Sequence, residues 1–196
     1  MPPVTVARAP SARDRLLAAA DELFYAEGVN SVGIDRIIEH AGVAKASLYS
    51  TFGSKDELVR AYLQGRHQAR VDRITRELAD ITDPRERVLA VFDGQARAFA
   101  AGTFRGCAFL NAAAEARSGT AVQAVAEEYR RWLRDLFRDL LTEVGVADPA
   151  GLAGQLVLLY DGAGVGAKMD RGIGSTATAR TVAAILLDTA PLTNAS

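Results

Sequence analysis

Small polar and basic side chains between Gly42 and Tyr62 are the residues of this sequence best suited to bind another molecule. The segment reads GVAKASLYSTFGSKDELVRAY and carries ammonium, phenol and short hydroxyl groups. Helical spacing places several of these groups on one face of a short helix, opposite its apolar residues. Such a face can reach phosphate oxygens and the edges of bases, so the pattern predicts recognition of nucleic acid rather than covalent chemistry.

Two short helices joined by a tight turn must position that face. Helical periodicity predicts one helix from about residue 34 to 41 and the next from about 45 to 51. Gly42 stands between them and can take the positive φ that such a turn requires. The apolar residues expected to form their shared core are Ile34, Ile37, Ile38, Ala41, Val43, Leu48 and Phe52. This arrangement predicts a helix-turn-helix.

The rest of the chain also shows helical periodicity, and no strand pattern stands out. Ser11 and Asp14 resemble a capping box before the first helix, and Gly28 ends it. The remaining helices are predicted at about 55–78 or 81, 84–101, 107–116, 121–144, 149–169 and 176–187. The sequence therefore predicts an all-α chain of about nine helices.

Composition and charge exclude several classes of protein. The net charge is −1, and residues 1–60 hold seven Arg or Lys against eight Asp or Glu, so the overall basic surplus common in nucleic-acid binders is absent. If the protein binds DNA, its positive charge must be focused on one face. No apolar run reaches the roughly 18 residues that span a bilayer, and the N-terminus lacks the apolar core of a secretory signal. We therefore expect a cytoplasmic protein without a membrane partner.

Catalytic and metal-binding patterns are weak. The sequence has two histidines, His40 and His67, and its single cysteine is Cys107. Neither a nucleophile with a nearby base nor a metal-ligand spacing is evident. We therefore expect no enzyme activity, no metal and no cofactor.

A tight group of residues surrounds the predicted turn: Ala41, Gly42, Val43, Leu48, Tyr49, Phe52, Ser54 and Lys55. Further matching positions are Leu16, Ala19, Ala20, Leu23, Phe24, Gly28, Ile37 and Leu58. With this combination, the run from about residue 13 to 62 resembles the N-terminal DNA-binding domain of the TetR/AcrR family of transcriptional regulators. The rest of the chain fits that family by helix count and length only.

The resemblance implies a ligand-responsive transcriptional regulator, most often a homodimeric repressor bound to a pseudo-palindromic, double-stranded DNA operator. It divides the chain into a helix-turn-helix DNA-binding domain (11–60) and an effector-binding and dimerisation domain (61–188). Composition predicts a disordered N-terminal arm (1–10), and a frayed tail (189–196) is expected at the other terminus. The helices at about 149–169 and 176–187 would form the dimer interface. By similarity, the DNA-binding residues would be Arg36, Lys45, Ala46, Ser47, Tyr49, Ser50, Thr51 and Lys55.

The effector pocket is predicted from aromatic and isolated polar residues on otherwise apolar segments of the second domain. The candidates are Phe92, Phe99, Phe104, Phe109, Asn111, Tyr129, Trp132, Leu133, Leu136, Tyr160 and Asp161. An apolar cavity with few polar anchors is typical of small-molecule sites. Because no Arg or His cluster points to an anionic ligand, the expected effector is a small apolar or aromatic molecule.

Three alternatives remain open. Cys107 is either a buried, inert thiol or, beside Arg105, an electrophile or redox sensor. The fold could also serve a non-DNA-binding adaptor. Finally, residues 156–167 match the strand and G-x-G-x-x-A start of a dinucleotide-binding unit, although too little chain follows for a parallel sheet. The glycines there are better explained by close approach of another helix.

Overall fold

The computed structural model describes residues 9–116, 120–170 and 172–193, and these form nine α-helices without a β-strand. Most of the predicted N-terminal arm and the last three residues of the predicted tail lie outside these ranges. None of the described helices is both long enough and apolar enough to cross a bilayer. The helices are α1 (Ala12–Glu27), α2 (Ile34–Ala41), α3 (Lys45–Phe52), α4 (Lys55–Leu78), α5 (Pro84–Ala100), α6 (Ala108–Glu115), α7 (Ala121–Val144), α8 (Pro149–Met169) and α9 (Gly174–Thr189). The predicted all-α class is confirmed.

Helices α1 to α3 form the predicted helix-turn-helix domain. The capping box of α1 is present, with the Ser11 side chain accepting from the Asp14 N–H and the Asp14 carboxylate accepting from Ser11. Gly42 adopts the left-handed conformation, with φ 61° and ψ 43°, and thereby ends α2. Ile37 and Leu48 are fully buried between the helices. Since neither Gly33 nor Ala44 can offer a capping oxygen, α2 and α3 begin without a side-chain cap.

Helix α4 joins the two parts of the molecule and crosses the predicted boundary at residue 60. It starts where the Ser54 side chain accepts from the Glu57 N–H. It contacts α1 and α3 of the first domain, and it also contacts α5, α6 and α7 of the second. Helix α4 is therefore a single continuous element that contacts both parts of the molecule.

The core of the second domain lies between α5, α7 and α8. Phe92 and Phe137 are completely buried, with ring centroids 5.7 Å apart. Helix α8 also packs on α9, where a Cβ on Gly166 would lie only 2.6 Å from Cβ of Ser175. The glycine thus permits the first turn of α9 to approach. Because residues 156–167 are helical throughout, the strand of a dinucleotide-binding unit is not there.

Part of the segment expected to be frayed is held in place. Leu192 forms an isolated antiparallel bridge with Val146. The Ala147 N–H donates to the Pro191 carbonyl and the Thr193 N–H donates to the Gly145 carbonyl, both at 2.8 Å. These long-range bonds, which local sequence signals do not reveal, fix residues 191–193 to the loop after α7.

Candidate nucleic-acid interface and effector cavity

The predicted DNA-binding residues lie on α2, on α3 and at the first residue of α4. Those that are exposed are Arg36, Lys45, Ala46, Tyr49, Ser50 and Thr51, while Ser47 and Lys55 are partly buried. Tyr49 is 45% exposed, so part of its surface is accessible to a binding partner. The Ser50 and Thr51 hydroxyls donate to the Ser47 carbonyl, so their oxygen lone pairs remain available as acceptors. The assignment of these residues to DNA contact stays a prediction.

Carboxylates hold two of the cations on this surface. The Lys45 ammonium donates to Oδ1 of Asp35 at 2.8 Å, and this bond together with the Asp35 charge raises the pKa of Lys45. Arg36 pairs with Glu27. Both cations are therefore partly neutralised by carboxylates of the same domain.

A cavity of about 810 Å³ lies among α4, α5, α6, α7 and α8. Its volume is in the range of small-molecule sites. Predicted pocket residues that line it are Phe99, Phe104, Phe109, Asn111, Tyr129, Tyr160 and Asp161. Cys107 also lines it, partly buried at the start of α6. Its reactivity remains untested, so the sensor role stays an alternative.

Four predicted pocket residues lie elsewhere. Phe92 and Leu133 are fully buried in the core. Trp132 and Leu136 line a separate depression beside α4. Successive helical residues differ by about 100° in direction, so the broad apolar surface of α7 faces several neighbours at once. The sequence shows that broad surface but not which part faces the cavity.

The sequence analysis expected no cluster of cations near the effector, whereas several cationic side chains line this cavity. The cavity is lined by Arg70, Arg73, Gln95, Arg130 and Lys168, none of which the sequence analysis selected. Arg70 and Arg73 share one face of α4 by their spacing of three, and this is the signal that could have identified these two.

Arg70 is a partly buried polar group in the cavity wall. Its guanidinium donates to the Tyr129 hydroxyl. The Tyr129 ring stacks on Phe109, with centroids 4.0 Å apart and planes 7° from parallel. Burial raises the pKa of Tyr129, so its hydroxyl stays neutral near pH 7. The aromatic stack therefore holds the guanidinium in a defined position.

Gln95 is a second polar group in this wall and is 3% exposed. Its Nε2 donates to the Tyr160 carbonyl at 2.8 Å. Its Oε1 is buried without a hydrogen-bond partner among the described residues. Such an acceptor costs free energy unless a bound molecule supplies a donor.

Hydrogen bonds connect the cavity wall to the DNA-binding domain. The Tyr25 hydroxyl of α1 accepts from the Arg105 N–H at 3.0 Å and donates to the Gly106 carbonyl at 3.1 Å. Arg66 of α4 lies 3.9 Å from the centroid of the Tyr25 ring and forms a two-bond ion pair with Asp21. This junction contacts the loop that contributes Gly106 to the cavity.

A second connection leaves the other end of α6. The Asn30 N–H donates to the Glu115 carboxylate at 2.7 Å, and its side-chain amide donates to the Glu115 carbonyl at 3.1 Å. Gly28 has a φ of 91°, and a Cβ there would lie 2.7 Å from Glu115 Oε1. Helix α6, which lines the cavity, is therefore tied to the DNA-binding domain at its C-terminal end and through the loop that precedes its N-terminal end.

An exposed helix-turn-helix surface, joined by a continuous helix to a helical domain with an internal cavity, defines a class of helical transcriptional regulators. The family model for bacterial regulatory proteins of the tetR family matches residues 16–62. A solved TetR-family transcriptional regulator from Streptomyces coelicolor is 34% identical, covers 91% of this chain and 95% of its own, and superposes with a TM-score of 0.86. The chain belongs to the TetR family of transcriptional regulators.

Other relatives agree with this assignment. A solved structure from Streptomyces avermitilis is 34% identical, with a TM-score of 0.83 over 94% of this chain and all of its own. The transcriptional activator FasR of Mycolicibacterium smegmatis is 40% identical over 81 residues. That match spans 41% of this chain and only 37% of FasR, so it concerns less than half of either protein.

Proposed function

We propose that the protein is a homodimeric repressor that binds a pseudo-palindromic DNA operator and is released by a small effector with an apolar or aromatic body. The observation that carries this proposal is the attachment of α6 to both the cavity and the DNA-binding domain. Phe109 and Asn111 of α6 line the cavity, while Tyr25 and Asn30 hold its two ends.

Effector binding acts through α6 and α4. A molecule that fills the cavity displaces α6 or the loop before it, and the bonds at Tyr25 and Asn30 carry that displacement to α1. In a dimer, the two recognition helices must be about one DNA turn, roughly 34 Å, apart to enter successive major grooves. A change in the orientation of each domain alters that distance and weakens DNA binding.

DNA recognition rests on a few placed contacts. Tyr49 and Lys55 contact backbone phosphates, and the polar residues of α3 reach the bases. Arg36 and Lys45 exchange their carboxylate partners for phosphates. Because the domain has no basic surplus, non-specific binding is weak and the salt dependence is shallow for a DNA-binding protein.

Helices α8 and α9 form the dimer interface. Large apolar side chains are exposed on them, including Leu158 at 73% and Ile185 at 55%. Clusters of this kind on a water-soluble surface are typical of protein–protein interfaces. Ile185→Glu is expected to yield monomers in sedimentation velocity, whereas Leu192→Glu, an equally exposed position outside these helices, leaves the dimer intact. Dimers of both variants would refute this interface.

DNA binding is tested by fluorescence anisotropy with the DNA upstream of the protein's own gene and a scrambled duplex of equal length. The expected result is binding of the upstream DNA that is at least about a thousand-fold tighter than that of the scrambled DNA. Ile185→Glu should lose affinity because two half-sites can no longer be engaged together. Equal affinity for both duplexes would refute the proposed function.

A further inference from the structure

The charges around the cavity do not balance. Four cationic side chains line it, but Asp161 is the one carboxylate among the described lining residues. Two of the cations are neutralised locally. Arg73 pairs with Glu77 at 2.9 Å, and Arg130 pairs with Asp161.

The other two cations have only neutral partners. Arg70 donates to the Tyr129 hydroxyl, and Lys168 donates to Oδ1 of Asn111 at 3.2 Å. Neither forms an ion pair with a carboxylate in the described parts of the chain. Lys168 is exposed to solvent, whereas Arg70 is partly buried. The uncompensated charge of the inner wall is therefore that of Arg70.

The surroundings of Arg70 favour an incoming anion. Its guanidinium carbon lies 5.9 Å and 5.2 Å from the ring centroids of Phe109 and Tyr129, so apolar surface replaces much of its water. Arginine stays protonated in proteins, and a partly desolvated charge gains most from a charged partner. The guanidinium has five N–H groups in a planar fork that fits the oxygens of an acidic group.

Gln95 adds a second requirement. Its Oε1 has almost no exposed surface and accepts nothing within the described residues, so a ligand with a hydroxyl or N–H group gains a hydrogen bond there once the Gln95 amide turns toward it. The remaining lining contributed by Phe99, Phe104 and Phe109 is apolar and aromatic. One cavity therefore offers a cation for an anionic group, an acceptor for a hydrogen-bond donor and an aromatic lining for an apolar body.

We infer that this cavity binds an organic anion, with an aromatic or other apolar body, whose acidic group pairs with Arg70 and whose hydroxyl or N–H group donates to Gln95. The inference rests on the proposed use of the cavity as the effector site. It refines the effector from a merely apolar molecule to an amphipathic acid.

Two fluorescent probes separate the acidic group from the apolar body. 8-Anilinonaphthalene-1-sulfonate is the sulfonate of N-phenyl-1-naphthylamine, which is neutral and otherwise the same molecule. Arg70→Gln is expected to weaken binding of the sulfonate by about ten-fold or more and binding of the neutral probe by less than about two-fold. Arg76→Gln removes the same charge from an exposed position on α4 outside the cavity, and both affinities should stay within about two-fold of wild type.

Two further variants keep the test decisive. Arg70→Lys retains the charge without the fork, so its affinity for the sulfonate should lie between those of wild type and Arg70→Gln even if the latter folds poorly. Ala113→Trp places a large ring in the cavity and should weaken both probes, which shows where they bind. Thermal melting without probe confirms that each variant is folded.

The results of these measurements separate the failure of the organic-anion inference from the failure of the cavity as an effector site. If both probes bind in the cavity but Arg70→Gln and Arg70→Lys bind the sulfonate like wild type, the anion inference is wrong and an apolar effector site remains. If neither probe binds wild type, or Ala113→Trp weakens neither, the cavity is not an effector site and both proposals fail.

Discussion

Replacing Tyr25 by Phe removes one oxygen atom that joins the DNA-binding domain to the cavity wall. That hydroxyl accepts from the Arg105 N–H and donates to the Gly106 carbonyl. The ring itself remains, so its contact with the Arg66 guanidinium at 3.9 Å is kept. The substitution therefore isolates the two hydrogen bonds from the packing of the junction.

The expected loss follows from the number and exposure of these bonds. A hydrogen bond contributes about 0.5–1.5 kcal/mol net, so two give about 1–3 kcal/mol. Arg105 is exposed, and water can replace the hydroxyl as partner of its N–H. We therefore expect the free energy of unfolding to fall by about 1–2 kcal/mol, in the lower part of that range.

Urea denaturation followed by circular dichroism measures this loss, and Tyr49→Phe is the matched control. The Tyr49 side chain is 45% exposed on the predicted DNA surface, so its variant should unfold within about 0.5 kcal/mol of wild type. In fluorescence anisotropy with operator DNA, the two variants should rank in the opposite order, with the larger effect in Tyr49→Phe. Tyr49→Phe should weaken DNA binding by about 1 kcal/mol, roughly five-fold, through a lost phosphate contact. Tyr25→Phe without effector should bind DNA nearly as wild type does.

The reasoning is refuted if Tyr25→Phe has the same urea midpoint and slope as wild type. The junction bonds would then contribute nothing, and Tyr25 could not carry a displacement from the cavity to α1. A loss of DNA affinity in Tyr25→Phe but not in Tyr49→Phe would show instead that the recognition surface is wrongly assigned.

Three further predictions concern stability, pH and charge. Gly65→Ala, in the exposed middle of α4, should raise the free energy of unfolding by about 0.5–1 kcal/mol because alanine favours a helix and its Cβ meets no neighbour. Gly166→Ala should lower the free energy of unfolding by about 1–3 kcal/mol because its Cβ would collide with the first turn of α9. Both changes are measured as shifts of the urea midpoint relative to wild type. Burial lowers the pKa of His67 below 6.5 in the folded protein, so the unfolded chain binds the proton first and the free energy of unfolding falls as the pH drops below about 6.5. In urea titrations, the free energy of unfolding of His67→Phe should fall less steeply than that of wild type between about pH 7 and 5. An equally steep fall in both proteins would exclude this contribution. Asp35→Asn should release Lys45 to contact a DNA phosphate and thereby raise DNA affinity several-fold. It should also steepen the slope of the logarithm of the binding constant against the logarithm of salt concentration by about one unit. An unchanged slope in anisotropy measurements at several salt concentrations would contradict this.

Local signals were enough to predict the helices. Ser11 caps α1 as its spacing from Asp14 predicts, and Gly42 takes the left-handed conformation at the turn. Helix α7 begins and ends where its apolar period and the glycine at 145 predict. Caps and periods depend on residues a few positions apart, so they can be recognised without knowing the tertiary structure. The exposed surface of α3 can also be predicted from the sequence, because the turn at Gly42 orients α3 relative to α2.

The composition of the cavity is a tertiary property. Phe92 and Phe99 lie on one helix, yet the first is in the core and the second lines the cavity. Arg73 and Glu77 lie one helical turn apart, so their ion pair can be expected from the sequence. The lack of a carboxylate beside Arg70 cannot, because it depends on which residues α6 and α7 place next to that guanidinium. The sequence by itself determined the helices and the surface proposed to face DNA, because these follow from neighbours along the chain. Only the packing of distant helices decided which side chains surround the cavity and which charge there remains unpaired, because burial and pairing are set by contacts through space.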